Sequence, residues 1–370
     1  MTTLKILIIT SEFPPGPGGI GHHAWFLAKE LAKRESIDIE VLCPKDYASK
    51  TEILKFDEES PFKIHRFRRI KGLTYVLRVI KLSKLLRGNS YTHFIASGKF
   101  ALWMIWIQKL LGKKSKTLCI LHGSEVNLSN NLLRAFTHTS ISKFNTIISV
   151  STFTQSLLPQ WILDNAERLR VIIPNGLDKS DFVFKNNIKL KGVPALLTVG
   201  HVSPRKGQHR MIKALPLLIE NFPQIHYHIV GRPINQKVLE SLSMDLGVES
   251  HVTFHGSVKQ HQDLWDYYRA ADIFVLLSEN QHNGDVEGFG IVALEANACG
   301  IPVLGAKYCG VEEAVKHKES GYLVDGDNLN EILEGIQFCL NNKVLLKEQS
   351  VEWSEQHAWS VVSKDFEACL

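Results

Sequence analysis

The 370-residue chain predicts an α/β protein of two doubly wound domains, each built on a parallel sheet and facing a common cleft. Three observations carry this. The length exceeds one ordinary hydrophobic core. Short runs rich in Val, Ile and Leu alternate with longer mixed segments, as in parallel strands covered by helices on both faces. The rhythm pauses in a polar, basic segment, residues 175–192, and then restarts.

In the first half, "LKILIIT", "IEVLC", "FKIHRF", "THFIAS", "TLCILHG", "NTIISV" and "RVIIP" read as strands. Helical patterns near 19–33, 73–87, 98–111 and 129–142 separate several of them. In the second half, "PALLTVG", "IHYHIVG", "HVTFHG", "DIFVLLS", "IPVLGA" and "GYLV" read as strands, with helices near 206–220, 235–246, 261–270 and 290–299. The tail, about 343–370, is helical in pattern, with Trp353 and Trp359 as packing anchors. The domains are expected to meet near residue 176. Ligands of such sheets bind beyond the carboxyl ends of the strands, so the cleft is the expected site.

Composition excludes several classes. Hydrophobic content of 44% and charged content of 22% are ordinary for a globular protein. The N-terminus lacks a secretory pattern, and "FALWMIWI" is too short to cross a bilayer. None of the six cysteines forms a C-x-x-C pair, which argues against a zinc site or disulfide framework and for a cytoplasmic protein. The net charge of +5 is segregated. Residues 60–163 hold 16 Lys/Arg and one acid, Glu125. Such asymmetry points either to an anionic partner or to a solvated basic face.

In "EFPPGPGGIGHH", Gly16, Gly18 and Gly21 spell G-x-G-x-x-G, the dinucleotide fingerprint. Glu40, near the second strand's end, would supply the matching acid. The spacer "SEFPP", however, puts the first glycine too far from the strand for the tight turn of that motif, and its prolines hold the chain extended. What remains is Gly18-Gly19-Ile20-Gly21 at a helix start, where backbone N–H groups can meet an anion.

"GHVSPRKGQ" places Arg205 and Lys206 at the head of a helix that follows a strand, a candidate anion clamp. In "GDVEGFGIVALEANACGIPVLG", Glu287 precedes Gly288, Phe289 and Gly290 at another helix start, and Glu295 follows eight positions after Glu287. A carboxylate suits a vicinal diol such as ribose. Two glutamates also match a glycosidase acid/base pair, but cations and helix N-termini fit a diphosphate better than a neutral glycoside. "LHGSE" places His122 at a strand's carboxyl end, where a structural and a functional role are both open.

Together these motifs resemble the family 4 retaining glycosyltransferases of the GT-B fold, with two Rossmann-like domains. The resemblance runs in order through "PPGPGGIGHHAWFLAKEL", "LHGSEV", "VSTFTQ", "VIIPNGLD", "VGHVSPRKG", "VEGFGIVALEANACGIPVLGA" and "GVEEAVKHKESGYLV". It implies an acceptor-side domain over 1–176 and a donor domain over 177–349, with a C-terminal helix from about 350 to 370 crossing back to the first. It further implies transfer of a hexose from a UDP- or GDP-linked sugar, with front-face retention. Arg205 and Lys206 would hold the diphosphate. Glu287 and the Gly288–Gly290 amides would hold the sugar, and Glu295 the ribose. Gly18 and Gly19 would approach the diphosphate, His122 the transferred sugar, and backbone near Val258 the base. The nucleotide sugar is a substrate, and no metal or other cofactor is expected. Two departures stand out: His201 where the family often has Arg, and Cys309-Gly310 where it has paired glycines.

The acceptor is expected to be a glycan or lipid-linked glycan on the basic domain. Arg66, Arg68, Arg69, Lys71, Arg78, Lys81, Lys84 and Arg87 are the candidate acceptor or membrane residues. Their three-residue spacing from Arg78 to Arg87 fans them around a helix, so a core-facing helix with snorkelling stems competes with an interfacial one. The expected docking surface is the inner face of the cytoplasmic membrane. A GT-B sugar-nucleotide epimerase and a basic nucleic-acid-binding module are the alternatives. No nucleic-acid motif is recognisable, so no nucleic-acid partner is expected.

Overall fold

Strand β1, Leu4–Thr10, lies inside the first sheet with a strand on either side, and Ile6, Leu7, Ile8 and Ile9 are wholly buried. The structure is a computed structural model. It describes residues 3–370 apart from 17, 46, 47, 71, 72, 181, 183, 185–187 and 259–262. The chain divides into two units, Met1–Gly176 with Trp359–Leu370, and Leu177–Ala358.

The first unit continues with β2 (Ile37–Lys45), β3 (Lys63–Arg68), β4 (His93–Ser97), β5 (Lys116–Leu121), β6 (Thr146–Ser149) and β7 (Leu169–Ile172). Their order is β3-β2-β1-β4-β5-β6-β7, all parallel. The second unit holds β8 (Ala195–Val199), β9 (His226–Val230), β10 (Val252–Gly256), β11 (Ile273–Leu276), β12 (Val303–Ala306) and β13 (Gly321–Val324). Their order is β10-β9-β8-β11-β12-β13, again all parallel. Both sheets reverse winding direction beside their first strand, between β1 and β4 and between β8 and β11. The two switch points are where such sheets receive ligands.

Each predicted strand is present, because buried β-branched and leucine runs have few other uses. The helices differ more. The expected 98–111 helix is two pieces, Lys99–Trp103 and Ile105–Leu110, joined at Met104. Among the helices that escaped the periodicity, the two longest are Lys50–Glu58 and Leu329–Asn341. Both carry a cap signal: Ser49 with Glu52 forms a capping box, and the Asn328 side chain accepts from the Asn330 and Glu331 N–H groups.

The tail is also two helices. Lys343–Gln356 belongs to the second unit, where Leu346 is buried, Asn297 Nδ2 donates to Ser350 Oγ, and Trp353 Nε1 donates to the Ala314 carbonyl. Trp359–Ala368 belongs to the first unit. The return expected from about residue 350 therefore begins at Trp359. Its indole lies so close to Gly176 that a Cβ there would stand 2.4 Å from the ring.

Candidate active site

In the second unit, β8 runs out through Gly200 into a 3-10 turn, Pro204–Lys206, then Gly207 and the Gln208–Asn221 helix. Gly207 has φ 69°, and a Cβ there would lie 1.7 Å from the Leu277 carbonyl oxygen. Only glycine lets the turn press against the end of β11. The Glu279 N–H also donates to the Arg205 carbonyl at 2.8 Å. Arg205 and Lys206 thus stand on a turn at the β8/β11 switch point, before the long helix rather than in its first turn as expected.

Both cations already face a carboxylate. Glu287 Oε2 accepts from Lys206 Nζ at 2.7 Å and from Arg205 Nη1, and Arg205 Nε reaches Asp285 at 3.2 Å. Lys206 and Glu287 are buried. Burial alone would raise the Glu287 pKa, but the Lys206 and Arg205 charges, with their hydrogen bonds, hold it below the usual carboxylate range. The Glu287 charge in turn raises the Arg205 pKa. Any anion that takes these cations must share them with Glu287.

Gly290, φ 87°, caps the Ile291–Ala298 helix without a side-chain bond. Phe289 turns its side chain into the core at 2% exposure, so only its backbone is placed for a ligand. The Gly310 N–H donates to the Glu287 carbonyl at 2.9 Å, and a Cβ on Gly310 would stand 2.1 Å from the Gly288 oxygen. Gly310 is therefore the glycine this contact requires, and Cys309 packs beside it, buried. Glu295 is buried on the same helix and accepts from Tyr268 Oη at 2.7 Å. Val258 lies two residues beyond β10 and is half-buried. His201 follows β8. Partial burial, then the Arg232, Lys206 and Arg205 charges, lower its pKa, so near neutral pH it adds no third cation.

In the first unit, His122 follows β5 and shares a 2.9 Å hydrogen bond with Ser97, the last residue of β4. Its N–H donates to Glu125 Oε1 at 2.5 Å. Burial lowers the His122 pKa to about 4. Burial also raises Glu125 to about 7 against the bonds it accepts, and the Glu12 charge adds to the rise. His23 packs 4.9 Å from both the His122 and the Trp359 rings. It is buried, and neither ring nitrogen has a hydrogen-bond partner among the described residues. Sequence reading singled out neither His23 nor Ser97. Glu125 carried one signal, as the single acid of a basic stretch.

The glycine motif separates by neighbour. A Cβ on Gly18 would collide with the Glu12 carboxylate at 1.9 Å, and one on Gly21 would meet the Phe13 backbone N at 2.8 Å. Both are packing glycines. Gly19, the first residue of its helix, has open space on its Cβ side. Glu40, the acid that would complete a dinucleotide fingerprint, sits inside β2. It is buried and bonded to His65 (2.7 Å), Tyr91 (2.7 Å) and Lys5 (3.2 Å), so it has no ribose to serve.

Two family models divide the sequence at nearly the same place as the fold. "Glycosyltransferase Family 4" matches residues 17–181 and "Glycosyl transferases group 1" matches 179–357. The chain belongs to the family 4 glycosyltransferases. This glycosyltransferase is 25% identical, over 97% of its length and 96% of the relative's, to a GDP-mannose-dependent alpha-(1-6)-phosphatidylinositol monomannoside mannosyltransferase of Mycobacterium tuberculosis. A Corynebacterium glutamicum enzyme, acting on the monoacylated form by name, is 28% identical over 89% of this chain and 87% of its own. Among solved structures, Anabaena HepE in complex with UDP superposes with a TM-score of 0.76 at 22% identity, covering 99% of both chains. It shares the GT-B fold.

The basic residues of the glycosyltransferase do not form one surface. Arg66 is an internal strut: Nη2 bonds Asp57 at 2.7 Å and the Pro14 carbonyl at 2.7 Å. Arg69 Nη2 donates to the Ser11 carbonyl at 2.8 Å, so both arginines hold the segment after β1. Arg78 is 2% exposed, its guanidinium 4.5 Å from the Phe67 ring and 5.2 Å from Phe100. Arg66 and Arg78 are corrections to the expected membrane face, whereas Arg69 remains exposed. Arg68, Lys84 and Arg87 are exposed and Lys81 is half-buried. Lys71 lies outside the described residues.

Proposed function

We propose that this glycosyltransferase moves a hexose from a UDP- or GDP-linked sugar to a glycan or lipid-linked acceptor, with retention and without a metal. The observation that carries the reading is the Arg205–Lys206–Glu287 group at the β8/β11 switch point. The departing diphosphate gains negative charge as the sugar–oxygen bond lengthens. Two preorganised cations in a buried setting stabilise that charge, and removing one such donor typically costs ~3–4 kcal/mol of barrier. Glu287 orients both cations and accepts hydrogen bonds from the sugar, and Glu295 receives the ribose hydroxyls. His122, neutral at pH 7, meets the transferred sugar as a hydrogen-bonding group rather than as a charge. In a front-face reaction the acceptor hydroxyl attacks from the side the diphosphate leaves, and its proton passes to the departing phosphate oxygen. The named lipid substrates of the two mannosyltransferase relatives and the basic first unit support a lipid-linked acceptor and peripheral membrane association.

The test is a thermal-shift screen of UDP-, GDP- and ADP-sugars with and without EDTA, followed by NMR of the product's anomeric proton. Stabilisation by one donor, unchanged by EDTA, with retained configuration is expected. Inverted configuration, or loss of turnover on chelation, would overturn the mechanism. Donor epimerisation without acceptor would replace transfer by the epimerase alternative.

A further inference from the structure

The Thr74–Gly88 helix carries apolar side chains on its outer face as well as its inner one, unlike an ordinary water-facing helix. Its inner face carries Arg78, 2% exposed, beside buried Leu82, Leu85 and Leu86. Its outer stripe runs Leu73, Val76, Ile80, Lys84, Arg87, spaced three or four residues apart and so on one face. Val76 and Ile80 are 52% and 46% exposed, and Tyr75 stands beside them at 49%. The stripe is apolar at its start and basic at its end.

A second apolar face adjoins it. On the Asn131–Ile141 helix, Leu132, Leu133 and Phe136 are exposed. A chain of ring contacts links the two helices: Tyr75 to Phe100 at 4.9 Å, Phe100 to Trp103 at 5.2 Å, and Trp103 to Phe136 at 5.5 Å. The ridge is rigid, because Trp103 Nε1 donates to Thr137 Oγ1 and Trp106 Nε1 to Ser140 Oγ, each at 2.9 Å. Cations border it. Lys99 lies 5.1 Å from the Phe100 ring and Lys143 lies 5.8 Å from Trp106. The one acid of residues 60–163, Glu125, is buried.

We infer that the Tyr75–Phe100–Trp103–Phe136 ridge is a membrane-docking surface that inserts its apolar residues into an anionic leaflet, with Lys84, Arg87, Lys99 and Lys143 at the headgroups. This rests on the lipid-acceptor reading above and places its membrane contact on an apolar ridge rather than on the basic run as a whole. Exposed apolar side chains beside aromatic rings and cations match the chemistry of a bilayer interface, where aromatic rings settle at headgroup level. A second copy of this chain is a poorer occupant, since it would set one basic border against another.

The full-length protein, its Val76→Ser/Ile80→Ser/Phe136→Ser variant and its Lys84→Glu/Arg87→Glu variant are floated with vesicles. One set is phosphatidylcholine alone and the other contains phosphatidylglycerol, each at low and high salt. The wild type is expected to float with the anionic vesicles, and high salt to weaken this without abolishing it, because insertion is not screened. The apolar variant loses about tenfold or more in partitioning, a few exposed side chains' worth of transfer. The charge-reversal variant loses its preference for anionic over neutral vesicles. Donor thermal shift and donor hydrolysis, measured without vesicles, stay unchanged in both variants. If the apolar variant floats like wild type, or high salt releases the wild type completely, the ridge does not insert. A concentration-dependent dimer that the apolar substitutions dissociate would assign the ridge to a second copy and overturn the inference. Failure of the wild type to bind any donor, with ridge-dependent flotation intact, would instead overturn the functional reading alone.

Discussion

In the second unit the buried carboxylate Glu287 sits against two cations, whereas in the first the buried Glu125 carboxylate accepts from backbone N–H groups. The two sheets wind in the same order, but Glu287 stands ahead of the Ile291–Ala298 helix that follows β11, and Glu125 stands in the loop after β5. Their ionisation differs because their partners differ. Lys206 and Arg205 overcome the burial of Glu287 and keep it charged. Nothing comparable faces Glu125, and burial raises it to about 7. One buried carboxylate is thus a fixed charge in its unit, and the other is a hydrogen-bonded group that titrates near neutral pH.

The largest effect expected from breaking this contrast is on catalysis. Lys206→Ala should lower turnover by about 100-fold or more while circular dichroism and melting show a retained fold. Near-normal turnover would remove the cation from the mechanism. Next comes the contrast between the two carboxylates. Glu287→Ala leaves buried cations without their partner and should lower the urea unfolding free energy by about 3 kcal/mol. Glu125→Gln, which mimics the protonated form and can still accept from the His122 N–H, should cost no more than about 1 kcal/mol. Equal losses in the two variants would show that the units do not differ in this way.

Acid titration sharpens the comparison through opposite signs. His226 in β9 has its pKa lowered to about 4, first by burial, then by His228, Lys191, His251 and His255. Below pH 6.5 the unfolded state binds the extra proton. The stability His226 contributes is therefore full above 6.5 and lost as pH falls toward 4, by at most about 1.4 kcal/mol per pH unit. Glu125 acts in reverse. Its raised pKa gives stability that is full below about 4.5 and lost as pH rises through 7. In unfolding measurements across this range, His226→Gln should reduce the loss on acidification and Glu125→Gln should increase it. The smallest effect concerns His23, buried without a hydrogen-bond partner among the described residues. His23→Phe keeps the ring contacts and removes the unpaired polar atoms. It should raise stability by about 1 kcal/mol, seen as a rise of about 2–4 °C in melting temperature. A lower melting temperature would mean that the imidazole has a polar role in the fold.

The strands were legible because parallel buried strands need continuous apolar side chains, and "LKILIIT" or "DIFVLLS" can do little else. Helix ends were less legible where packing, not periodicity, set them. The 98–111 segment breaks at Met104, and the tail divides at Trp359. Of the site, the candidate residues could be named from motif spacing, since glycine at a helix start and paired cations have few uses in combination. Spacing did not reveal that Arg205 and Lys206 already share Glu287, because that pairing joins residues some 80 positions apart.

The sequence by itself determined the two doubly wound sheets, the family and the positions of Arg205, Lys206, Glu287 and His122. These follow from local pattern, which is written residue by residue. Only the tertiary structure decided which charges are compensated and which face outward. Arg78, read along the chain, belonged with Lys84 and Arg87, but packing put it between Phe67 and Phe100 and left Val76 and Ile80 exposed. Burial is a property of the assembled neighbours, and a side chain's charge acts according to what surrounds it.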